Sequence, residues 1–141
     1  MIRGDSIFDK RGNVSFFNNF RTDAFVRQYV VRNYSQHFIR AWHGHKKETK
    51  AVHVLQGVVQ CSCVKVDNWE KPSEELEIQS FILSASKPEI LIIPEGFANG
   101  FMNLTNDAIV QFFSNKSLEE SLQDDFRFPF DYWNPWKTSF Y

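Results

Sequence analysis

The stretch Ile93-Pro94-Glu95-Gly96-Phe97-Ala98-Asn99-Gly100-Phe101 carries most of the information about the fold. Two short apolar runs, Ile90 to Ile93 and Phe97 to Asn103, flank Pro94-Glu95-Gly96, a combination of residues that is typical of a turn. Runs of this length between turn residues indicate β-strands. The stretch therefore predicts two strands joined by a tight connection.

The same punctuation recurs along the chain, at Gly12-Asn13, Gly57, Asn68, Lys71-Pro72-Ser73 and Lys87-Pro88. It separates short runs rich in Phe, Val and Ile, which favours an all-β protein. We predict nine strands, at Asn13 to Asn18, Phe25 to Asn33, Phe38 to Trp42, Ala51 to Leu55, Val58 to Val66, Leu76 to Leu83, Ile90 to Ile93, Phe97 to Asn103 and Ala108 to Ser114.

One short peripheral helix is predicted near the C-terminus, from Leu118 to Asp124. Ser117 is its expected N-cap, and Glu119 and Glu120 complement the helix dipole in the first turn. So many strands in a small chain must close as a sandwich, jelly roll or barrel to protect their edges. We expect a double-stranded β-helix that forms a single domain over residues 1–141.

Composition excludes several classes of function. The 141 residues are 43% hydrophobic and carry a net charge of -1, so a nucleic-acid-binding surface or a polybasic membrane patch is not expected. We find no signal peptide and no apolar run long enough to span a bilayer, and we expect a cytoplasmic protein. Cys61 and Cys63 are predicted to be reduced, buried thiols.

The chemistry is expected at Arg40-Ala41-Trp42-His43-Gly44-His45-Lys46, where four basic side chains fall within seven residues. On a regular strand, Arg40, Trp42 and Gly44 would point to one face, and Ala41, His43 and His45 to the other. A histidine pair on one face is suited either to binding a metal or to moving protons near neutral pH.

These residues resemble the cupin motifs. In the metal-binding version, the first motif is His-x-His, then Glu, then Gly, and His43, His45 and Gly57 match it. Lys50 stands where the glutamate ligand belongs, and Asn99 stands where the second motif has its histidine. A cation and an amide replace two of four ligands, so we predict no metal and no other cofactor.

The resemblance is closer to a metal-free group of cupins. Residues 93–101 are similar to the Ile-Pro-x-Gly-Phe-Ala-His-Gly-Phe signature of the dTDP-4-dehydrorhamnose 3,5-epimerases, departing at Asn99. Phe8-Asp9-Lys10-Arg11-Gly12 and the segment Asp124 to Trp136 also resemble that family. Residues 40–46 are instead more similar to the Arg-Gly-x-His-Ala-His-Lys segment of the dTDP-sugar 3,4-ketoisomerases. The resemblance implies a cupin jelly roll that isomerises a nucleotide-linked sugar.

The resemblance also assigns roles to residues. His43 and His45 are implied as the base and proton shuttle, with their order left open, and Tyr29 as a further catalytic residue. The tyrosine acid of the epimerases falls on Phe112, which has no proton to give, so Tyr29 and Tyr34 are alternative donors. Arg40 matches the arginine that binds nucleotide phosphates in both groups. Further substrate-binding residues are expected from side-chain chemistry: Lys46 and Lys50 for charge toward the diphosphate or the enolate, and Asn99 and Asn103 for sugar hydroxyls.

Several alternatives stay open. The chain is expected to catalyse 3,4-ketoisomerisation of a dTDP-4-keto-6-deoxyhexose for surface polysaccharide synthesis, but 3- or 3,5-epimerisation, sugar binding without catalysis, and a metal-dependent oxygenase are the rival hypotheses. His37 and His53 are expected to be structural or exposed, and Trp69, Trp133 and Trp136 to serve packing. The resemblance also implies a homodimer that exchanges N-terminal strands, with residues 14–31 apolar enough for that contact.

Overall fold

The computed structural model describes residues 1–136, which form twelve strands and one helix. In chain order the elements are β1 (Ile2–Arg3), β2 (Asp5–Asp9), β3 (Gly12–Phe16), β4 (Arg27–Arg32), β5 (Ile39–His45), β6 (Lys50–Gln56), β7 (Val58–Lys65), β8 (Ile78–Ser84), β9 (Glu89–Ile93), β10 (Phe97–Asn103), β11 (Ile109–Ser114), α1 (Leu118–Leu122) and β12 (Phe126–Arg127).

Two five-stranded antiparallel sheets pack face to face. The strand order is β1-β9-β6-β11-β4 in the first sheet and β12-β5-β10-β7-β8 in the second, while β2 and β3 form a separate hairpin. This is the jelly-roll arrangement of cupins, so the predicted fold class is confirmed. The single domain over 1–141 stays a prediction, because residues 137–141 lie outside the described residues.

The main core lies between the sheets because inward-facing side chains alternate along each strand. Its buried members are Val52, Val54, Val59, Cys61, Cys63, Leu83, Leu91, Ile93, Phe101, Ala108, Val110 and Phe112. The two cysteines are free and buried, as the sequence predicted.

A second apolar cluster lies on the outer face of the second sheet, around Trp42, Trp133 and Trp136. The Trp42 indole N–H lies 3.1 Å from the carbonyl oxygen of Phe130 and 3.0 Å from that of Trp133, which fastens the C-terminal segment to β5. Trp133 and Trp136 therefore serve packing, as expected, and the described part of the tail covers its own sheet.

The helix α1 begins with a capping box. The Ser117 hydroxyl accepts from the Glu120 backbone N–H, and the Glu120 carboxylate accepts from the Ser117 backbone N–H. The predicted N-cap is confirmed, although the helix ends at Leu122, two residues earlier than predicted. The helix lies over the open end of the barrel, where its side chains line the cavity described below.

The structure differs from the predicted strands at one boundary that bears on the site and in three strands that were not predicted. The strand β5 does not end at Trp42 but continues to His45. His43 and His45 are polar, but they line a cavity between the sheets and so belong to the strand and not to a surface loop. Three short strands, β1, β2 and β12, were missed; in the hairpin strand β2, Ile7 and Phe8 are exposed and show no burial alternation to detect.

Candidate active site

A cavity of about 270 Å³ opens between the two sheets beneath α1. Both sheets contribute to its wall, and α1 with the following segment forms its mouth. The lining residues are Arg27, Tyr29, Val31, Arg40, His43, His45, Lys50, Asn99, Phe101, Phe112, Leu118, Ser121, Leu122, Asp125 and Arg127. The cavity thus joins apolar walls to a concentration of positive charge.

A β-bulge in β5 brings Arg40 to the same cavity as the histidines. His43 pairs with Asn99 of β10, but Phe101, only two residues on, pairs with Arg40, three residues away along β5. The extra residue reverses the side-chain alternation. The prediction that Arg40 faces away from His43 was therefore wrong, because it assumed a regular strand.

Gly100 permits this bulge. A Cβ atom at Gly100 would lie 2.4 Å from the Ala41 Cβ and 2.9 Å from the Arg40 carbonyl oxygen. Glycine is therefore needed at this position so that β10 can approach the bulged strand closely. Gly100 therefore affects the cavity indirectly, because the bulge that it permits directs Arg40 into the cavity wall.

His43 is the more accessible of the two histidines. No hydrogen bond among residues 1–136 involves its imidazole ring, which lines the cavity. Burial, together with the positive charges of Arg127 and Lys50, lowers its pKa from 6.5 to about 4. His43 is therefore neutral at physiological pH, with a ring nitrogen free to accept a proton.

His45 is held on both sides. Its Nδ1 lies 2.6 Å from the backbone oxygen of Asp124, and its Nε2 lies 3.1 Å from Oε2 of Glu48. The second contact lacks the alignment of a hydrogen bond, and both atoms are buried without a hydrogen-bond partner. Burial and the charge of Lys50 lower the pKa of His45, whereas Glu48 and Asp124 oppose this shift.

Glu48 is the centre of a buried ionic cluster. Its side chain is fully buried, and Oε1 accepts from the hydroxyls of Ser114 and Ser121 at 2.6 Å and from Arg27 at 3.3 Å. Lys50 Nζ is 3.7 Å from Oε2. Burial alone would raise the pKa of Glu48, but these hydroxyls and charges outweigh it, so its pKa is lowered.

Tyr29 and Phe112 form one wall. They pair across β4 and β11, and their rings stack with centroids 5.1 Å apart. Lys50 Nζ lies 5.8 Å from the Phe112 centroid and 5.9 Å from that of Tyr29. A phenol and an ammonium are thus both available on the first sheet, beside the apolar Phe112.

Each guanidinium group that lines the cavity has a polar partner within the protein. Arg40 Nε donates to Asn33 at 2.6 Å, and Arg127 is paired with Asp125 at 3.1 Å. Arg27 contacts Glu48. Guanidinium groups that converge on one opening favour an anionic ligand, above all phosphate.

Two of the predicted substrate-binding residues lie elsewhere. Asn103 is buried, and its amide nitrogen donates to the carbonyls of Ser35 and Thr105 while its oxygen accepts from Asn33. Lys46 is exposed above the Phe126 ring, outside the cavity. Asn99, in contrast, lines the cavity, and its Oδ1 is buried without a partner.

The remaining candidates lie away from the site. Tyr34 is fully exposed, His37 is exposed in a loop, and His53 packs edge-on against Phe17. Trp69 contacts Phe126. Within residues 1–136, no three His, Cys, Asp or Glu side chains are grouped as metal ligands would be.

Sequence reasoning missed Glu48, Asp124 and the two serines of the ionic cluster. The three backbone N–H groups of residues 46–48 donate to the Asp124 carboxylate, so this side chain fixes the loop that carries Glu48. One signal was available for Glu48, which is the single acid in the basic run His45 to Lys50. Nothing in the local sequence indicated that Ser114 and Ser121 would meet it.

The jelly roll with a polar cavity at one end has the architecture of a cupin protein. The chain belongs to the dTDP-4-dehydrorhamnose 3,5-epimerase family, because the model of that family matches residues 3–128. This group consists of dTDP-sugar epimerases and ketoisomerases, so the chain is an isomerase-class enzyme. The search of curated proteins found no match.

Solved structures share the fold. A dTDP-4-dehydrorhamnose 3,5-epimerase from Bacillus anthracis, with TDP and PPi bound, is 24% identical with a TM-score of 0.71, over 87% of this chain and 74% of that one. The enzyme RmlC from Legionella pneumophila, in complex with dTDP-4-keto-L-rhamnose, is 23% identical (TM-score 0.70, 89% and 69% coverage).

A sugar 3,4-ketoisomerase shares the fold with a slightly lower identity and TM-score. The enzyme from Thermoanaerobacterium thermosaccharolyticum, in complex with TDP, is 19% identical with a TM-score of 0.68, over 93% of this chain and 88% of that one. Epimerases and ketoisomerases thus match the fold about equally well. The only described helix, α1, is much too short to span a bilayer.

Proposed function

We propose that this protein is a 3,4-ketoisomerase that acts on a dTDP-linked 4-keto-6-deoxyhexose in surface polysaccharide synthesis. One observation carries the proposal. The cavity wall contains two histidines, and it also contains Phe112, a residue that has no proton to give. Epimerisation needs an acid across the sugar from the base. Ketoisomerisation needs proton transfer at two adjacent carbons on one edge of the sugar.

The first step is removal of the C3 proton by neutral His43. The C3–H bond breaks, an N–H bond forms, and the electron pair enters a C3–C4 double bond with an enolate oxygen at C4. The Lys50 ammonium stabilises this oxygen, because its positive charge lies in a cavity largely shielded from water. His45 belongs to the same proton-transfer group.

The second step forms the product. Protonation of the oxygen gives an enediol, and a proton delivered to C4 forms the new C4–H bond. The O3–H proton leaves, and the ketone is then at C3. Tyr29 lines the cavity as the further proton donor on β4. No cofactor takes part in this proposed sequence.

Arg40 is proposed to bind the diphosphate of the nucleotide, and Asn99 to accept a hydrogen bond from a sugar hydroxyl. Support for Arg40 is its position in the cavity beside Arg127 and Arg27. Support for Asn99 is its unpartnered, buried oxygen. Lys46 and Asn103 are not included, because Lys46 lies outside the cavity and Asn103 already binds three protein groups.

Epimerisation at C3, or at C3 and C5, is the second candidate. The matching family model carries the epimerase description, which favours it. In that reaction Tyr29 would act as the acid in place of the residue at Phe112, since the two rings are stacked neighbours. A protein that binds the sugar without turnover is the third candidate.

The test compares His43→Gln with His53→Gln, a matched histidine outside the cavity. Both variants are incubated with dTDP-4-keto-6-deoxyglucose, the product is identified by NMR, and dTDP binding is measured by calorimetry. We expect His43→Gln to lose activity about a hundredfold to ten-thousandfold with dTDP affinity kept, and His53→Gln to resemble the wild type. Absence of turnover by the wild type, with dTDP bound, would favour the binding protein.

We also propose a homodimer and a cytoplasmic location. The hairpin of β2 and β3 leaves Ile7, Phe8 and Val14 exposed, and Val26 and Val30 are exposed on or beside the edge strand β4. Exposed apolar side chains of this kind support a subunit contact. Sedimentation of the wild type and of Phe8→Glu tests it, with a dimer expected for the former and a monomer for the latter. A monomeric wild type would contradict it.

A further inference from the structure

The Glu48 side chain is buried behind the cavity and takes no part in its lining. One carboxylate oxygen is satisfied by two hydroxyls and a guanidinium. The other, Oε2, faces His45 and Lys50 and makes no hydrogen bond. A buried carboxylate with one unsatisfied oxygen destabilises the fold, and a hydrogen-bond donor at that oxygen would remove the cost.

The tautomer of His45 follows from its other contact. A backbone carbonyl can only accept, so the Nδ1 atom that faces the Asp124 oxygen at 2.6 Å carries a hydrogen. In a neutral imidazole the remaining nitrogen, Nε2, is then an acceptor. It lies 3.1 Å from Glu48 Oε2, which is also an acceptor.

Two buried acceptors at this distance repel each other, and a single added proton reverses the interaction. A proton on Nε2 would convert the contact into a charge-assisted hydrogen bond after a small adjustment of angle. The charged and titratable groups that surround His45 are Glu48, Lys50, Asp124, His43 and, through Glu48, Arg27.

We propose that Glu48 is a positioning residue that acts as the counter-ion of His45, so that the pair takes up one proton on Nε2. This inference rests on the proposed function, and it deepens it by separating the two histidines. His43, which has no comparable carboxylate contact among residues 1–136, is the base, and His45 is the histidine that holds a proton. The contact with Glu48 thus gives a physical reason for the order of the two histidines used in the proposed mechanism.

The test is a pH titration of the histidine ring nitrogens by NMR in ¹⁵N-histidine-labelled protein. The chain has four histidines, and single substitutions assign their signals. In the wild type we expect His45 to keep Nδ1 protonated throughout and to gain its Nε2 proton at a higher pH than His43 does. Protonation of His45 at the same pH as His43, or below it, would overturn the proposal, and this measurement needs no variant of Glu48.

The variant Glu48→Gln removes the charge and keeps the shape. We expect it to lower the titration midpoint of His45 by at least about one pH unit, since a carboxylate within hydrogen-bonding distance favours the charged imidazole by this amount or more. Glu119→Gln, an exposed carboxyl on α1, is the matched control and should leave the midpoint unchanged. An unchanged midpoint in Glu48→Gln would contradict the pairing.

Kinetics connect the pair to turnover. In Glu48→Gln we expect kcat to fall at least about tenfold and the alkaline limb of its pH profile, where His45 loses the proton that it holds, to move with the His45 midpoint. KM should change little because Glu48 lies outside the cavity wall. If the NMR shift occurs but the wild type does not isomerise the dTDP-sugar, the pair is retained and the proposed function fails. If turnover occurs and the His45 midpoint ignores Glu48, only this inference fails.

Discussion

The chain contains two buried polar clusters, and they differ in how completely their groups are satisfied. Around Asn103, at one end of β10, the amide makes three hydrogen bonds to neutral groups. Around Glu48, near the other end of that strand, the groups are charged, and His45 Nε2 and Glu48 Oε2 have no hydrogen bond. Within residues 1–136 the only other such atom is Oδ1 of Asn99, in the cavity wall.

The difference separates a structural cluster from a functional one. A satisfied neutral cluster holds loops in place, whereas unmet hydrogen-bonding capacity at a cavity is available to a substrate or a proton. Asn33 connects the Asn103 cluster to the cavity, because it accepts from Arg40 and donates to Asn103. The structural cluster thus also positions one cavity cation.

Removing the satisfied amide should have the largest effect on stability. We expect Asn103→Ala to lower the free energy of unfolding by about 3 kcal/mol, because it removes the acceptor that Asn33 donates to at 3.2 Å and the donor to the carbonyl groups of Ser35 and Thr105. Urea denaturation measures the change. Turnover per folded molecule should stay within a few-fold of the wild type, and a variant of normal stability would remove the distinction between the clusters.

Closing the space at the bulge should affect both regions. Gly100→Ala places a Cβ against Ala41 and the Arg40 carbonyl, and we expect about 2 kcal/mol of destabilisation together with weaker dTDP binding. Urea denaturation and calorimetry measure the two effects. Normal dTDP affinity in a destabilised Gly100→Ala would show that the bulge does not set the position of Arg40.

Acid should destabilise the protein through the cavity histidine. The pKa of His43 is about 4 in the folded chain and 6.5 when unperturbed, so between these values the unfolded state binds more protons. The free energy of unfolding therefore falls as the pH drops through this window, by about 2 kcal/mol after allowance for partial exposure. Urea denaturation at pH 7 and pH 5 should show a smaller loss in His43→Gln. An equal loss in both proteins would place the acid sensitivity elsewhere.

The smallest effect is expected at the unsatisfied amide. Asn99→Ala breaks no protein hydrogen bond of Oδ1, so stability should change by no more than about 1 kcal/mol. KM for the dTDP-sugar should instead rise about fivefold, as the loss of one hydrogen bond to a hydroxyl implies. A large stability loss with unchanged KM would class Asn99 with Asn103.

The sequence predicted the jelly roll well, because its strands are short apolar runs between strong turn signals, as at Pro94-Glu95-Gly96. It also predicted that His43 and His45 face the same side, since they are two residues apart on one strand. It failed for Arg40, because a bulge arises from the contact of Gly100 with a neighbouring strand. It failed for Glu48, because its partners Ser114 and Ser121 are far away in the chain.

The most direct test of the account locates the transferred proton. The protein is incubated with dTDP-4-keto-6-deoxyglucose in deuterated water, and NMR finds the position of solvent deuterium in the product. We predict a C3 ketone, with any label incorporated at C4, because His43 removes a proton at C3 and the enediol is reprotonated at C4. Deuterium at C3 or C5 with the ketone still at C4 would contradict ketoisomerisation and identify an epimerase.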